Sequence, residues 1–214
     1  MSFIMHSHPE ISEGSHAIIS PSRHITRPDY SLDQFDNYIL SSYAARIGTS
    51  IHELAAQLIK AKIKVNKSEA FKMIELKLFN DGIPRALIQP VQCCDTFIAY
   101  VKDAIGFDMD PEVVLKYSRF AFGTTDAIRY NEKKNYLRIH DLKTGKQQAP
   151  LDQLVSYAAL FFLEYHIKPG DVTTEIRIYQ NGEVVTGFPT ATDILPVMDQ
   201  IVTLNNYFEQ NFGG

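Results

Sequence analysis

Hydrophobic and polar positions along the chain change their period twice, and the changes mark out the elements. Across residues 32–63 the apolar positions recur at helical spacing, with Phe35, Tyr38, Ile39 and Tyr43 on one stripe and Ile51, Leu54, Ala55, Leu58 and Ile59 on another. Gly48 divides the stripes, and Ser50 and Glu53 after it have the spacing of a capping box, so the pattern predicts a helix that breaks and restarts there. Helices are predicted over 69–79 and 92–105, either side of the breaker run Asn80-Asp81-Gly82-Ile83-Pro84. The period then drops to two. Val113, Leu115 and Tyr117 give a first strand, 122–130 a second and 136–142 a third, with the polar run 131–135 turning the last pair into a hairpin. A helix over 150–165 opens on Pro150, a hairpin of 175–180 and 183–187 turns at Asn181-Gly182, and a helix over 193–208 follows.

This order predicts a mixed α/β domain in which a small sheet is packed beneath a long N-terminal helical region. Residues 1–30, rich in Ser, His and Pro, read as an irregular arm. Residues 31–214 read as one domain, helical over 31–106 and carrying the sheet and remaining helices over 107–214. No internal repeat is visible.

Composition narrows the classes. The 214 residues are 45% hydrophobic and 11% aromatic, enough for a sizeable core and too much for a disordered chain. The longest apolar run, residues 157–163, is far short of the roughly 20 residues a bilayer helix needs, and the first thirty residues lack a leader's apolar stretch. The expectation is a cytoplasmic protein with no membrane partner. The only cysteines, Cys93 and Cys94, are neighbours and cannot staple distant segments or fill a four-cysteine site. A net charge of −4, from 25 acidic against 21 basic residues, argues at first against a nucleic-acid partner. The lysines, however, fall in two clusters: Lys60, Lys62, Lys64 and Lys67, and Lys133, Lys134, Lys143 and Lys146. A local basic groove on an acidic molecule is therefore expected.

The most informative stretch is 123–143. Centring the hairpin turn on Lys133 and Lys134 places Asp126 directly across from Asp141, on one face of the sheet with Cβ atoms about 5 Å apart. Two carboxylates so placed repel unless a cation lies between them. Lys143 shares the face of Asp141, while Leu137 and Ile139 on that face carry the core and Arg129, Arg138 and His140 fall on the other. Three charges thus end an apolar row. Two carboxylates can hold Mg²⁺ or Mn²⁺, whose field acidifies a bound water, and a neighbouring amine can orient or deprotonate it. A buried Asp–Lys ion pair is the plainer reading of the same trio.

The runs Gly123-Thr124-Thr125-Asp126, Asp141-Leu142-Lys143-Thr144-Gly145-Lys146 and Gln153-Leu154-Val155-Ser156-Tyr157, preceded by Gly48-Thr49-Ser50-Ile51-His52, resemble the PD-(D/E)XK nuclease superfamily in its RecB-like and phage-exonuclease branch. Four motifs stand in that branch's order over roughly half the chain. The resemblance implies a restriction-endonuclease-like core. It also implies Asp126 and Asp141 as metal carboxylates, the Leu142 carbonyl as a further ligand and His52 as a helix-borne ligand that relaxes the preference from Mg²⁺ toward Mn²⁺. Lys143 becomes the water-positioning base, and Gln153 and Tyr157, a helical turn apart, support Lys143 or hold the scissile strand. Ser20, Ser22 and Arg23 weakly match a phosphate-touching element near the start of such nucleases, and Lys146 is a candidate phosphate contact. Each has a plainer alternative: a surface histidine, an amphipathic helix edge, a turn, a solvated lysine. Relatives often carry four cysteines for an iron–sulfur cluster; this chain does not, and none is expected.

The expected activity is a metal-dependent deoxyribonuclease, an exonuclease of phage or prophage recombination or repair in a bacterial host, with DNA as partner. A recombination partner protein and a homo-oligomer are further expectations. The competing readings are a catalytically silent nuclease fold that binds DNA or protein, and a restriction-type endonuclease.

Overall fold

The helix predicted to break at Gly48 does not break. In the computed structural model, which describes residues 29–88, 91–145 and 147–212 with the isolated residues 9 and 19, α1 runs unbroken over Leu32–Lys60. Gly48 lies instead beside the loop that follows Lys143: a Cβ there would lie 3.3 Å from Thr144 Oγ1, a tight contact that the glycine avoids. The expected capping box is also not at Ser50 and Glu53. Ser50 is buried within the helix, and Glu53 reaches Lys77 Nζ at 2.7 Å. The box that starts α1 is formed by Ser31 and Gln34, each side chain accepting the other's backbone N–H.

The chain divides into two units, Met1–Tyr43 and Ala44–Gly214, and all that follows belongs to the second. α2 (Lys67–Asn80) begins at a full capping box between Asn66 and Glu69, and α3 (Val91–Gly106) follows the breaker run and a short 3-10 turn. The strands are β1 (Asp110–Lys116), β2 (Phe122–Asn131), β3 (Tyr136–Leu142), β4 (Thr173–Gln180) and β5 (Glu183–Gly187), and they lie side by side in that order. All neighbours are antiparallel except β3 and β4. That parallel pair needs a crossover, supplied by α4 (Asp152–Tyr165). Pro150 lies ahead of α4 instead of inside its first turn. The β4–β5 turn, Asn181-Gly182, has φ of 53° and 82°, the left-handed pair that a two-residue hairpin requires. α5 (Ala191–Phe212) closes the fold. The structure is thus a five-stranded mixed sheet flanked by helices with an N-terminal helical region. Among the described residues no helix is long and apolar enough to cross a membrane.

The two faces of the sheet are covered differently. On one, Leu137, Ile139, Ile176 and Ile178 meet Leu154, Ala158, Phe161 and Phe162 of α4 in an apolar core. The other carries the polar alternates of the same strands, and α3 buries them. His140, read from the sequence only as a polar residue on the far face, is wholly buried against Phe107. Glu175 sits at the centre of this layer, accepting a hydrogen bond from Tyr136 at 2.6 Å and lying 3.2 Å from Arg138 Nε, 2.8 Å from Arg177 Nε and 3.7 Å from His140 Nε2. Burial alone would raise its pKa, but the neighbouring His140 ring, the Tyr136 hydrogen bond and the charges of Arg177 and Arg138 overcome that and hold it at about 2. Arg177 is gripped from the helix side by Asp103, which also accepts from Tyr179 at 2.6 Å.

Removing one member of such a group strands the others. Glu175→Ala is expected to cost about 3–5 kcal/mol, since two guanidinium groups lose their buried counter-ion. Urea unfolding with a lowered midpoint at unchanged slope would bear this out, and a loss well under 1 kcal/mol would refute it.

Candidate metal centre

The β2–β3 ladder has the register read from the sequence, pairing Ala127 with His140, Ile128 with Ile139 and Arg129 with Arg138. Continued by one residue it sets Asp126 against Asp141. The last contact there is a side-chain one, the Leu142 amide donating to Asp126 Oδ2 at 2.8 Å. The other oxygen, Oδ1, lies 3.1 Å from His52 Nδ1. α1 thus delivers His52 to the strand carboxylate.

β2 is irregular at this point. Gly123 faces α4, because a Cβ there would lie 2.9 Å from the Tyr157 ring, and Ile128 belongs to the same α4-side core. Strict alternation cannot place an odd and an even position of one strand on one face, so β2 changes face between them. The β1 residue across the change is Glu112, whose φ of 55° is left-handed. A non-glycine residue held there inside a strand is strained, and such strain gathers at functional sites. Its effect is to bring the Glu112 carboxylate to the other two groups: ligand atoms of His52, Glu112 and Asp126 all lie within 4.8 Å of one another.

Glu112 is the residue that the sequence reading missed. The signal existed, since pairing Val113 with Thr125 and Pro111 with Ala127 puts Glu112 opposite Asp126.

Beside this trio stands the expected Asp141–Lys143 pair. Lys143 Nζ donates to Asp141 Oδ1 at 3.1 Å and to Gln153 Oε1 at 2.8 Å, and Gln153 Nε2 donates in turn to Tyr157 Oη at 3.4 Å. Four of the expected residues are therefore one chain of contacts. Asp141 is not in the tight trio; it is committed to Lys143. Its Oδ2 is buried and accepts no hydrogen bond among the described residues, although the ammonium is 3.0 Å away. Leu142 contributes its N–H to Asp126 and is buried. Ser20, Ser22, Arg23 and Lys146 lie outside the described residues.

The electrostatics follow from crowding. Burial first, and then the Asp126 charge, push Asp141 up to about 6 against the pull of Lys143. Burial also raises Glu112, with Asp126 adding to it. For His52 burial opposes the charged form, but the Asp126 hydrogen bond and the charges of Asp126, Asp141 and Glu112 outweigh it and the pKa rises. Tyr100, buried beneath, is held well above its ordinary range by burial and by the same three carboxylates.

The donor set fits a divalent cation of the magnesium or manganese kind. Two cis ligands at about 2.1 Å in an octahedron lie about 3 Å apart, close to the His52–Asp126 separation. Carboxylate oxygens and one imidazole suit Mn²⁺ as well as Mg²⁺.

The lysines of the expected basic groove are divided: Lys60 acts on Glu112 and Lys143 stands at Asp141, while others lie elsewhere. Lys133 and Lys134 cap the far end of the hairpin, about 25 Å along the strand from Asp126. Lys62 and Lys67 are paired with Asp108 and Asp95. Comparison with known protein families, with curated proteins and with solved structures finds no match to this chain.

Asp141 and His52 both hold protons more tightly folded than unfolded. Their contribution to stability is therefore greatest at low pH and lost as pH rises through about 6 for Asp141 and through the raised value of His52. A cation replaces those protons, so Mn²⁺ should raise the melting temperature more at pH 8 than at pH 5. Equal shifts at both pH values, or none, would rule out these groups as ligands.

Proposed function

We propose that the chain is a divalent-cation-dependent deoxyribonuclease on a PD-(D/E)XK core that hydrolyses DNA phosphodiesters, as an exonuclease of phage or prophage recombination or repair. The observation that carries this reading is the placing of an ammonium group, tied to Asp141 and Gln153, beside the His52, Glu112 and Asp126 trio at one end of the sheet. An ion pair kept only for stability would not need the Gln153–Tyr157 relay, the strained Glu112 or the helix-borne histidine.

The residues divide the work. Asp126, Glu112, His52 and, through Oδ2, Asp141 would hold the cation. Bound there, it supplies a lowered water pKa and charge neutralisation at the phosphate. Lys143 spends two of its three N–H donors on Asp141 and Gln153. The third is left to position the attacking water or to meet a phosphate oxygen as negative charge builds there. Gln153 and Tyr157 hold the lysine head and so fix that direction. In the balanced step a water oxygen bonds to phosphorus, the bond to the departing sugar oxygen breaks, and the proton lost by water ends on that oxygen.

Linear and covalently closed DNA incubated with Mg²⁺ or Mn²⁺ test the proposal. Linear DNA should be degraded and closed circles spared. Asp126→Asn, Asp141→Asn and Lys143→Met should each lower kcat by about a hundredfold or more. Cleavage that survives Asp141→Asn or a chelator would sink the mechanism, and nicking of closed circles would make the enzyme an endonuclease.

A further inference from the structure

The face of the β1–β2 hairpin turned away from α4 is uncovered, and its composition is ordered. From the level of Glu112 and Asp126, where β2 changes face, toward the hairpin turn come the pairs Val114 with Thr124 and Lys116 with Phe122. All four are exposed, Phe122 by 62% and Val114 by 54%. Leu115 and Gly123, between them, point the other way, into the α4-side core. Successive pairs on this face are separated by about 6.8 Å, which puts Phe122 about 13 Å from Asp126. That repeat is close to the distance between successive nucleotides of an extended single strand.

We propose that this face is a track for single-stranded DNA, with Phe122 stacking on an unpaired base and Lys116 meeting a phosphate two nucleotides from the metal centre. The destination of the strand rests on the nuclease reading; the track itself rests on the hairpin. No ion pair occupies the Lys116 ammonium among the described residues. Val114 and Thr124 are uncharged and small enough to leave the way open. Duplex DNA cannot use an aromatic platform in this way, since its bases are already stacked on one another.

The hairpin is held rigid from behind. Ser118 hydrogen-bonds Asn205, the Phe120 ring packs 4.6 Å from Phe208, and the Lys116 amide donates to Glu164 at 2.8 Å. A surface fixed in advance loses little entropy on binding. A protein strand adding to the sheet would use the edge of β1 instead, leaving Phe122 unexplained.

Fluorescence anisotropy with a short labelled oligothymidylate tests the track, in a Lys143→Met background with Mn²⁺ so that the probe is not cut. The oligothymidylate should bind more tightly than a blunt duplex. Phe122→Ala should weaken it at least about fivefold, the low end for loss of one stacked base, and Phe122→Trp should restore it. Lys116→Ala should reduce the slope of log affinity against log salt by about 0.7. Unchanged binding by Phe122→Ala, no binding at all, or a dimer in sedimentation that Phe122→Ala dissolves would each overturn the proposal. The two readings fail separately. Phe122-dependent binding without metal-dependent cleavage by the unmodified chain leaves the track and removes the nuclease, and cleavage with Phe122-independent binding does the reverse.

Discussion

Three carboxylates meet at one end of the sheet, and the rest of the structure is arranged around their mutual repulsion. Asp126 is half-buried and Asp141 buried, where charge is expensive, Glu112 crowds them from an exposed position, and among the described residues His52, Lys143 and, for Glu112, Lys60 supply the opposing charge. Each neighbouring feature offsets part of this cost. His52 arrives from α1 to share Asp126. Lys143 turns back along its own strand onto Asp141, and Gln153 of α4 keeps it there. Ionisation of Asp141 is resisted until about pH 6. A divalent ion would relieve all of these tensions together, which is why the cluster reads as a centre that awaits one.

The scaffold makes this crowding tolerable by using the two faces of β3 differently. Its odd positions anchor in the apolar core under α4, and its even positions lock into the Glu175 and Arg177 layer under α3. A strand gripped from both sides can carry a strained end. The parallel alignment with β4 continues to the site, the Lys143 amide donating to the Tyr179 carbonyl at 2.9 Å. Beyond it Gln180, buried, holds the following loop through Gly145, Gln147 and Ala149. The loop that begins at Thr144 meets α1 at Gly48, so the helix bearing His52 and the segment bearing Lys143 are joined by a close approach that a larger residue would crowd.

Much of this was legible in the residues, because strand alternation and hairpin register depend on local spacing. Asp126 opposite Asp141 followed from numbering alone, whereas Gln153 as a support for Lys143 came only from the resemblance to the PD-(D/E)XK nucleases. What escaped depended on longer range. Gly48 looked like a break because a helix-interior glycine costs stability, and its compensation lies at Thr144, far along the chain. Glu112 looked like an ordinary strand residue because period-two reasoning assumes an unbroken ladder, whereas its left-handed backbone and the change of face in β2 are tertiary features. His140 read only as a polar residue on the far face because nothing in its neighbourhood reveals that α3 covers it. The second lysine cluster is split for a similar reason: closeness in sequence put Lys133 and Lys134 with Lys143, yet a hairpin sends its turn and its open end in opposite directions.

The central claim is that His52 and the strand carboxylates hold one divalent ion. Loading the protein with a single equivalent of Mn²⁺ and recording its electron spin-echo modulation tests this most directly, because a ligating imidazole imprints a nitrogen coupling that oxygen ligands cannot. That coupling is expected in the unmodified protein, and its loss, with the ion still bound through carboxylates, in His52→Gln. Bound Mn²⁺ with no nitrogen coupling, or a coupling that persists in His52→Gln, would contradict it.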